Sequence, residues 1–126
     1  MLGVILVDHG SKLAASNELL EETARQFAGR YGQQFPIVEP AHMELAEPSI
    51  ATAYARCVAR GADRIIVLPF FLGPGRHWTS DIPRLAAAAA TQHPHTRHAV
   101  APPLGVDDLI LELLARRAAE CLDGGF

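Results

Sequence analysis

The chain has 126 residues, with 11 lysines and arginines against 14 aspartates and glutamates, and a formal charge of −3 at pH 7. This length predicts one domain, residues 1–126, built around a single hydrophobic core. A chain of net negative charge has no general attraction for phosphate backbones or anionic membrane surfaces. We therefore expect neither nucleic acid nor a membrane as a partner, and any anionic ligand must be held by a local cluster.

The first apolar run, residues 2–7, predicts a strand that is covered on both faces, and it ends in the polar sequence DHGS. Ser16 is interpreted as the N-cap of the next element. From there apolar residues recur at helical spacing, and Gly29 and Gly32 mark the end of the segment. This pattern predicts an amphipathic covering helix.

The second strand is predicted at residues 35–43. Pro36 and Pro40 each remove a donor from the strand ladder, which favours a position at the edge of a sheet. Pro48 then suits the first turn of a second helix, which ends at Gly61.

The third strand opens the segment 65–83, IIVLPFFLGPGRHWTSDIP, in which Pro69 and Gly73 break an apolar run and polar residues follow. Ser80 or Asp81 is predicted to cap the third helix, with Pro83 in its first turn. In open α/β folds, ligands bind at the carboxyl ends of strands. The polar residues after this strand are therefore candidate site residues.

The fourth strand is predicted at residues 98–101, and a last helix carries Leu109, Ile110, Leu113 and Leu114. Four strand–helix units favour parallel pairing, because each crossover helix returns the chain to the same edge of the sheet. We predict a three-layer, flavodoxin-like α/β fold with a four-stranded parallel sheet in the order 2-1-3-4 and helices on both faces.

The two cysteines, Cys57 and Cys121, both lie among apolar residues in helix-like segments. This placement predicts buried, reduced thiols. The first strand begins directly after Met1, without the pattern of a secretory signal. We therefore expect a cytoplasmic protein.

The predicted strand order brings His9 and His77 together across the crevice between strands one and three, with Glu44 at the same rim. Two imidazoles and a carboxylate bind a borderline divalent metal and leave coordination positions open, which suits transfer of the ion. Glu44 is a candidate proton acceptor. His42 would share the face of Glu44 if the strand persists, which makes it a possible additional ligand.

Donors for an anionic ligand follow strands one and three, and the candidates are Ser11, Lys12, Arg76, Thr79 and Ser80, together with amide groups where helices begin. Trp78 is interpreted either as a surface for a flat ring or as a plug in the core or an interface. His93, His95 and His98 are interpreted as a solvated tip that binds metal only adventitiously.

The sequences LVDHGS, EPAHMELAEPSI, PFFLGPGRHWTSDIP and APPLG closely resemble the short CbiX and SirB type of class II chelatases, particularly the sirohydrochlorin ferrochelatases. The resemblance implies a lyase that inserts Fe(II) into sirohydrochlorin to make siroheme, with no permanently bound cofactor. It implies that His9 and His77 handle the metal and that Glu44 assists as acid and base. Plant relatives carry a cysteine-rich C-terminal extension, whereas this chain has two cysteines, so we expect no iron–sulfur cluster within one chain.

The resemblance also implies a cleft with two walls, which larger class II chelatases form from two similar lobes. Four strand–helix units make one lobe, so a twofold homodimer is expected to supply the second. Phe70, Phe71, Leu72 and Trp78 lie near the predicted rim, and they are either covered by the partner or packed within their own subunit.

Three other functions remain open at this point. A cobalt or nickel chelatase uses the same ligands, since histidine and carboxylate accept those ions as readily as iron. A non-catalytic carrier of metal or tetrapyrrole has the same binding residues. Phosphotransfer through His9 is opposed by Asp8, because the carboxylate repels a phosphate on the neighbouring residue.

Overall fold

A computed structural model describes residues 1–73 and 75–125, with side chains at all of these positions except 76–78. Strands and helices alternate along the chain. In order they are β1 (Leu2–Asp8), α1 (Ala14–Tyr31), β2 (Ile37–His42), α2 (Ile50–Ala59), β3 (Arg64–Pro69), α3 (Arg76–Thr91), β4 (Arg97–Val100) and α4 (Asp108–Asp123).

The strands form one parallel sheet in the order β2-β1-β3-β4, which confirms the predicted fold and strand order. β2 is an edge strand, as its prolines predict, and Pro40 lies opposite Leu6 of β1. Leu6 in turn lies opposite Leu68 of β3. Since β1 and β3 are neighbours and the chain reverses direction between them, the loops that follow these two strands meet at one crevice.

Side chains of successive strand residues point to opposite faces, and the two faces bury different helices. Ile5, Val7, Ile65 and Val67 belong to the larger buried cluster, which α2 and α3 cover with residues such as Tyr54 and Ile82. Leu6 packs on the other face with Leu20 and Ala24 of α1. The covered sheet therefore makes the predicted three layers.

Three helix starts differ from the predicted ones. α2 begins at Ile50 with Ser49 as its N-cap, so Pro48 precedes the helix and does not lie in its first turn. α1 begins at Ala14, with Leu13 and not Ser16 at the N-cap. α3 begins at Arg76 because Gly75 is extended and its carbonyl already accepts the N–H of Thr79, so neither Ser80 nor Asp81 caps it. Pro83 consequently lies inside α3 and not in its first turn.

Cys57 is fully buried, as predicted, whereas Cys121 is exposed and the prediction for it is wrong. Cys121 lies on α4, whose described residues are exposed except for the half-buried Ile110. The apolar pattern of α4 was expected to indicate a helix packed on the sheet, but none of its residues is buried. Among the described residues, no helix combines the length and apolarity needed to cross a bilayer.

Candidate functional site

The loops after β1 and β2 run side by side beyond the ends of the strands. The N–H of Met43 donates to the carbonyl of Asp8 over 2.9 Å, and the N–H of Glu44 donates to that of His9 over 3.1 Å. These bonds extend the β1–β2 pairing and place two predicted site residues next to each other. His9 Nε2 lies 3.5 Å from Glu44 Oε1, and both side chains are about half exposed, at 45% and 52%.

Gly10 makes this close approach of the two loops possible. Its φ of +93° is in the left-handed region that favours glycine. A Cβ atom at this position would lie 1.9 Å from the carbonyl oxygen of Glu44 and 3.2 Å from Cβ of His42. No role was predicted for Gly10 from the sequence, although a glycine directly after a candidate ligand is a signal for close backbone approach.

His42 lies behind this pair and is fully buried. Its Nδ1 is 2.7 Å from Oδ1 of Asp8, the residue directly opposite it in the sheet. Its Nε2 is also buried, has no hydrogen-bond partner among the described residues, and lies 3.8 Å from Oε1 of Glu21. The contacts of His42 are therefore with carboxylates of β1 and α1, on the interior side of the site.

The loop from Met43 to Pro48 is closed at its base and leads into α2. The N–H of His42 donates to the carbonyl of Pro48 over 2.8 Å, and Ser49 caps α2 by accepting the N–H of Thr52. Glu47 accepts hydrogen bonds from the Thr52 hydroxyl and the Ser49 N–H. These bonds lower the pKa of Glu47 below its ordinary value, the Thr52 bond contributing most.

The third predicted site residue follows β3, the neighbour of β1. Position 77 lies in the first turn of α3, at the same carboxyl edge of the sheet as His9. The side chains of Arg76, His77 and Trp78 lie outside the described residues, and so do the roles predicted for them.

The remaining residues predicted to contact the substrate are divided between the loop after β1 and the start of α3. The Ser11 hydroxyl accepts the N–H of Leu13, and the backbone of Ser11 exchanges two hydrogen bonds with the Asn17 side chain. Lys12 is exposed beside it. On α3, the exposed Thr79 donates its hydroxyl proton to the carbonyl of Gly75, and Ser80 is exposed.

An apolar pocket of about 360 Å³ lies at the same edge, beyond the ends of β3 and β4. The pocket was not predicted from the sequence. Its walls come from α3 and from the segments after the two strands: Pro69, Phe71, Thr79, Ile82, Pro83, Val100, Ala101, Pro102 and Pro103.

His9 and Glu44 supply one imidazole nitrogen and one carboxylate at an accessible rim. Within residues 1–73 and 75–125, side chains at 76–78 apart, no cluster of three or more histidine, cysteine or acidic groups is arranged to hold a metal ion. An imidazole and a carboxylate are both of the kinds of group that bind divalent metal ions. A carboxylate can in general also accept a proton.

Fold and site together define a class of protein: a parallel α/β domain with a histidine–carboxylate pair and an apolar pocket at the carboxyl edge of the sheet. The CbiX family model matches residues 3–121, so the chain belongs to the CbiX family.

Two curated relatives carry names that specify a metal. The chain is 50% identical over 120 residues to the chloroplastic sirohydrochlorin ferrochelatase of Arabidopsis thaliana, covering 95% of this chain and 52% of that one. It is 45% identical over 93 residues to the sirohydrochlorin cobaltochelatase of Methanocaldococcus jannaschii, covering 74% of this chain and 64% of that one. The chain thus spans between half and two thirds of the length of these relatives.

Two solved structures share the fold. A CbiX protein from Marinobacter aquaeolei, described as a putative cobalamin biosynthesis protein, has a TM-score of 0.79 at 28% identity, covering 99% of this chain and 100% of that one. SirB from Bacillus subtilis, solved with Fe³⁺, has a TM-score of 0.79 at 29% identity, covering 92% of this chain and 45% of that one. The same domain is therefore found as a chain of similar length and as part of a chain about twice as long.

Proposed function

We propose that this chain is a sirohydrochlorin ferrochelatase, a lyase that inserts Fe(II) into sirohydrochlorin to make siroheme. The observation that carries the proposal is the pairing of His9 Nε2 with Glu44 Oε1 at 3.5 Å on an accessible rim. The 50% identity to the Arabidopsis ferrochelatase supports the choice of substrate and metal.

Insertion of a metal into a tetrapyrrole requires the ion to lose water ligands and the macrocycle to lose two pyrrole protons. His9 and, by resemblance, His77 bind the ion and release it, because two imidazoles do not complete its coordination. Glu44 accepts protons from the ring, since it lies beside the histidine that holds the arriving metal. The metal is a substrate in this scheme, and the proposal includes no permanently bound cofactor.

Its spacing from Glu44 made His42 a possible additional metal ligand, but we propose a structural role for it. Its Nε2 is shielded from solvent and its Nδ1 is hydrogen-bonded to Asp8, so an ion arriving from solvent does not meet a lone pair of this ring. We assign His42 to holding the end of β1, from which His9 projects.

The proposed substrate is a large, flat molecule with many carboxylates. The edge of the sheet offers an apolar surface for its face and polar groups for its carboxylates. The apolar pocket beside α3 offers a surface for the face of the macrocycle. Ser11 and Lys12 follow β1 and Thr79 and Ser80 lie near the start of α3, and with Arg76 they are the proposed donors to the carboxylates of the substrate. Trp78 is proposed to lie against the ring.

A cobaltochelatase is the second candidate, favoured by the 45% identity to the Methanocaldococcus enzyme. Histidine and carboxylate ligands do not discriminate strongly between iron, cobalt and nickel, and intrinsic affinity rises along that series. We therefore expect cobalt turnover in vitro whichever metal is physiological.

We further propose a homodimer in the cytoplasm. One lobe provides one wall for a tetrapyrrole, and a twofold copy provides the other. Both cysteines are free thiols, as expected in a reducing compartment.

The test is an anaerobic assay in which sirohydrochlorin and Fe(II) are both in large excess over the protein, followed by absorbance of the metallated product, with Co(II) and Ni(II) in parallel. Many turnovers per chain with iron support the ferrochelatase. Turnover with cobalt and not iron assigns the second candidate. Product that stops at one equivalent per chain identifies a carrier and overturns the proposal.

A further inference from the structure

Leu45 combines an unfavourable backbone conformation with an exposed apolar side chain. Its φ of +69° lies in the left-handed region, and within residues 1–73 and 75–125 no other residue except glycine has a positive φ. Glycine adopts this region freely, whereas a bulky L-residue does so at a cost. The leucine side chain is also 57% exposed, so burial in the core does not hold it there. Neither the backbone nor the packing of the domain accounts for leucine at this position.

Hydrogen bonds on either side of Leu45 hold the loop in this conformation. The N–H of Glu44 donates to the carbonyl of His9 over 3.1 Å, and the N–H of His42 donates to that of Pro48 over 2.8 Å. These two bonds fix where the loop leaves β2 and where it returns, so the chain must turn back between Glu44 and Pro48. The left-handed residue lies within that turn, and the bonds offset its cost.

A turn of this kind does not itself call for leucine. Glycine has no Cβ penalty in the left-handed region, and asparagine enters it several-fold more often than most other residues. Residues that keep such a conformation cluster at active sites and ligand clamps, where the strained residue has a use. Leucine at position 45 therefore indicates an apolar contact that the chain does not make with itself.

Leu45 lies at one end of the candidate site. It directly follows Glu44, whose Oε1 is 3.5 Å from His9 Nε2. The loop after β2 is on one side of β1, and β3 and β4 are on the other, at a spacing of about 4.8 Å between neighbouring strands. The apolar pocket lies beyond the ends of β3 and β4. The His9–Glu44 pair therefore has an exposed leucine on one side and an apolar pocket on the other.

We propose that the Leu45 side chain packs on the flat macrocycle and fixes its position over the His9–Glu44 pair. The inference rests on the proposed function and adds a specificity-determining residue to it. A ring centred on the pair would extend over both apolar surfaces, and the burial of each surface is favourable. Contact with Leu45 opposes a shift of the ring towards the pocket, so the pyrrole nitrogens stay within reach of Glu44.

The first experiment measures the affinity for metal-free sirohydrochlorin by fluorescence titration, with no metal present. Leu45→Asn introduces a polar side chain of similar size that suits the left-handed region, whereas Leu45→Met keeps an apolar side chain. We expect Leu45→Asn to weaken binding by roughly 10-fold and Leu45→Met by no more than about 2-fold, from the apolar area that each loses. Leu19→Asn, at a 65% exposed position of α1, is the matched control and should bind as the wild type does.

Two further measurements separate this contact from an effect on the fold or on Glu44. Leu45→Asn should raise the midpoint of urea denaturation, because asparagine tolerates the left-handed region better than leucine does. Titration with Co(II) in the absence of the macrocycle should give the same affinity for the wild type and Leu45→Asn, because leucine supplies no ligand. A lower midpoint would show that the leucine serves the fold, and a lower metal affinity would show that the site has moved. Either result would overturn the inference.

Equal affinity for sirohydrochlorin in the wild type and Leu45→Asn would also overturn the inference. The turnover assay of the wild type is independent of that result. A chain that metallates sirohydrochlorin and binds it equally well after Leu45→Asn is a chelatase in which Leu45 makes no contact with the ring. A wild type that does not bind sirohydrochlorin would overturn both the inference and the proposed function.

Discussion

The backbone of Gly10 approaches that of Glu44 so closely that a Cβ atom at position 10 would lie 1.9 Å from the Glu44 carbonyl oxygen. This contact joins the loops after β1 and β2, and the His9–Glu44 pair depends on it. The arrangement of the candidate site therefore rests on a residue that contributes no side chain.

Gly10→Ala should disrupt both the fold and the site. A left-handed φ costs a non-glycine residue about 1–2 kcal/mol, and the contact with backbone atoms adds to that, so we expect a loss of at least about 2 kcal/mol in the free energy of unfolding. Gly29→Ala is the matched control, because nothing lies within 4 Å of its added Cβ in α1. It should gain about 0.5–1 kcal/mol. Urea denaturation of both variants checks the expectation, and equal stabilities would contradict it.

Substitutions at the candidate site should separate metal handling from proton transfer. His9→Ala and His77→Ala should each abolish insertion of iron. Glu44→Gln should lower kcat by roughly 100-fold or more and leave metal affinity nearly unchanged, since its proposed role is to accept protons. Anaerobic turnover and metal titration supply the two measurements.

His95→Ala is the control for these substitutions, because His95 is exposed in the turn before β4. It should retain wild-type rates, and all four variants should keep the far-ultraviolet circular dichroism of the parent. Wild-type turnover in both His9→Ala and His77→Ala would show that the metal is handled elsewhere.

Lys12→Gln should weaken binding of the macrocycle without slowing the chemical step. Lys12 is exposed on the loop next to Ser11, and loss of one charged donor to a carboxylate costs about 1 kcal/mol, or roughly 5-fold in KM. Arg30→Gln, in the last turn of α1, is the control, because α1 ends at the opposite edge of the sheet. Steady-state measurements of kcat and KM for both variants test this prediction. A fall in kcat with unchanged KM would place Lys12 in the reaction and not in binding.

Glu47 should make stability depend on pH in the acid range. Hydrogen bonds from Thr52 and Ser49 hold its pKa below the ordinary value of 4.5, so the ionised group stabilises the fold above pH 4.5 and this stabilisation is lost as the pH falls through the lowered value. Glu47→Gln and Thr52→Val should therefore flatten the acid limb of a plot of unfolding free energy against pH. An unchanged slope in both variants would contradict the assignment.

Cys57 should resist thiol reagents in the folded protein. Burial raises the pKa of its thiol to about 12, so at pH 8 almost none of it is the reactive thiolate. In the Cys121→Ser background we expect no labelling by a maleimide until denaturant unfolds the chain, as followed by intact mass. Rapid labelling under native conditions would show that the helix carrying Cys57 opens locally.

The local pattern of the sequence was sufficient to predict the strands and helices and their order in the sheet. Residues 2–7 and 65–69 are apolar and partly β-branched, and the segments between strands have helical spacing, so a parallel sheet with crossover helices was the economical solution. The prolines near β2 identified the edge strand for the same local reason, namely the missing N–H donors. The candidate pair His9 and Glu44 came from the rule that ligands meet at the carboxyl edge.

The tertiary structure decided what depends on contacts between distant residues. The packing of α4 is one example. Helical spacing shows that one face of a helix is apolar, but it does not show which part of the protein covers that face. Cys121 was misplaced for that reason. The inward position of His42 followed from Asp8, its neighbour across the β1–β2 ladder. The need for glycine at position 10 arose from a backbone 34 residues further along the chain, and no local preference encodes that approach.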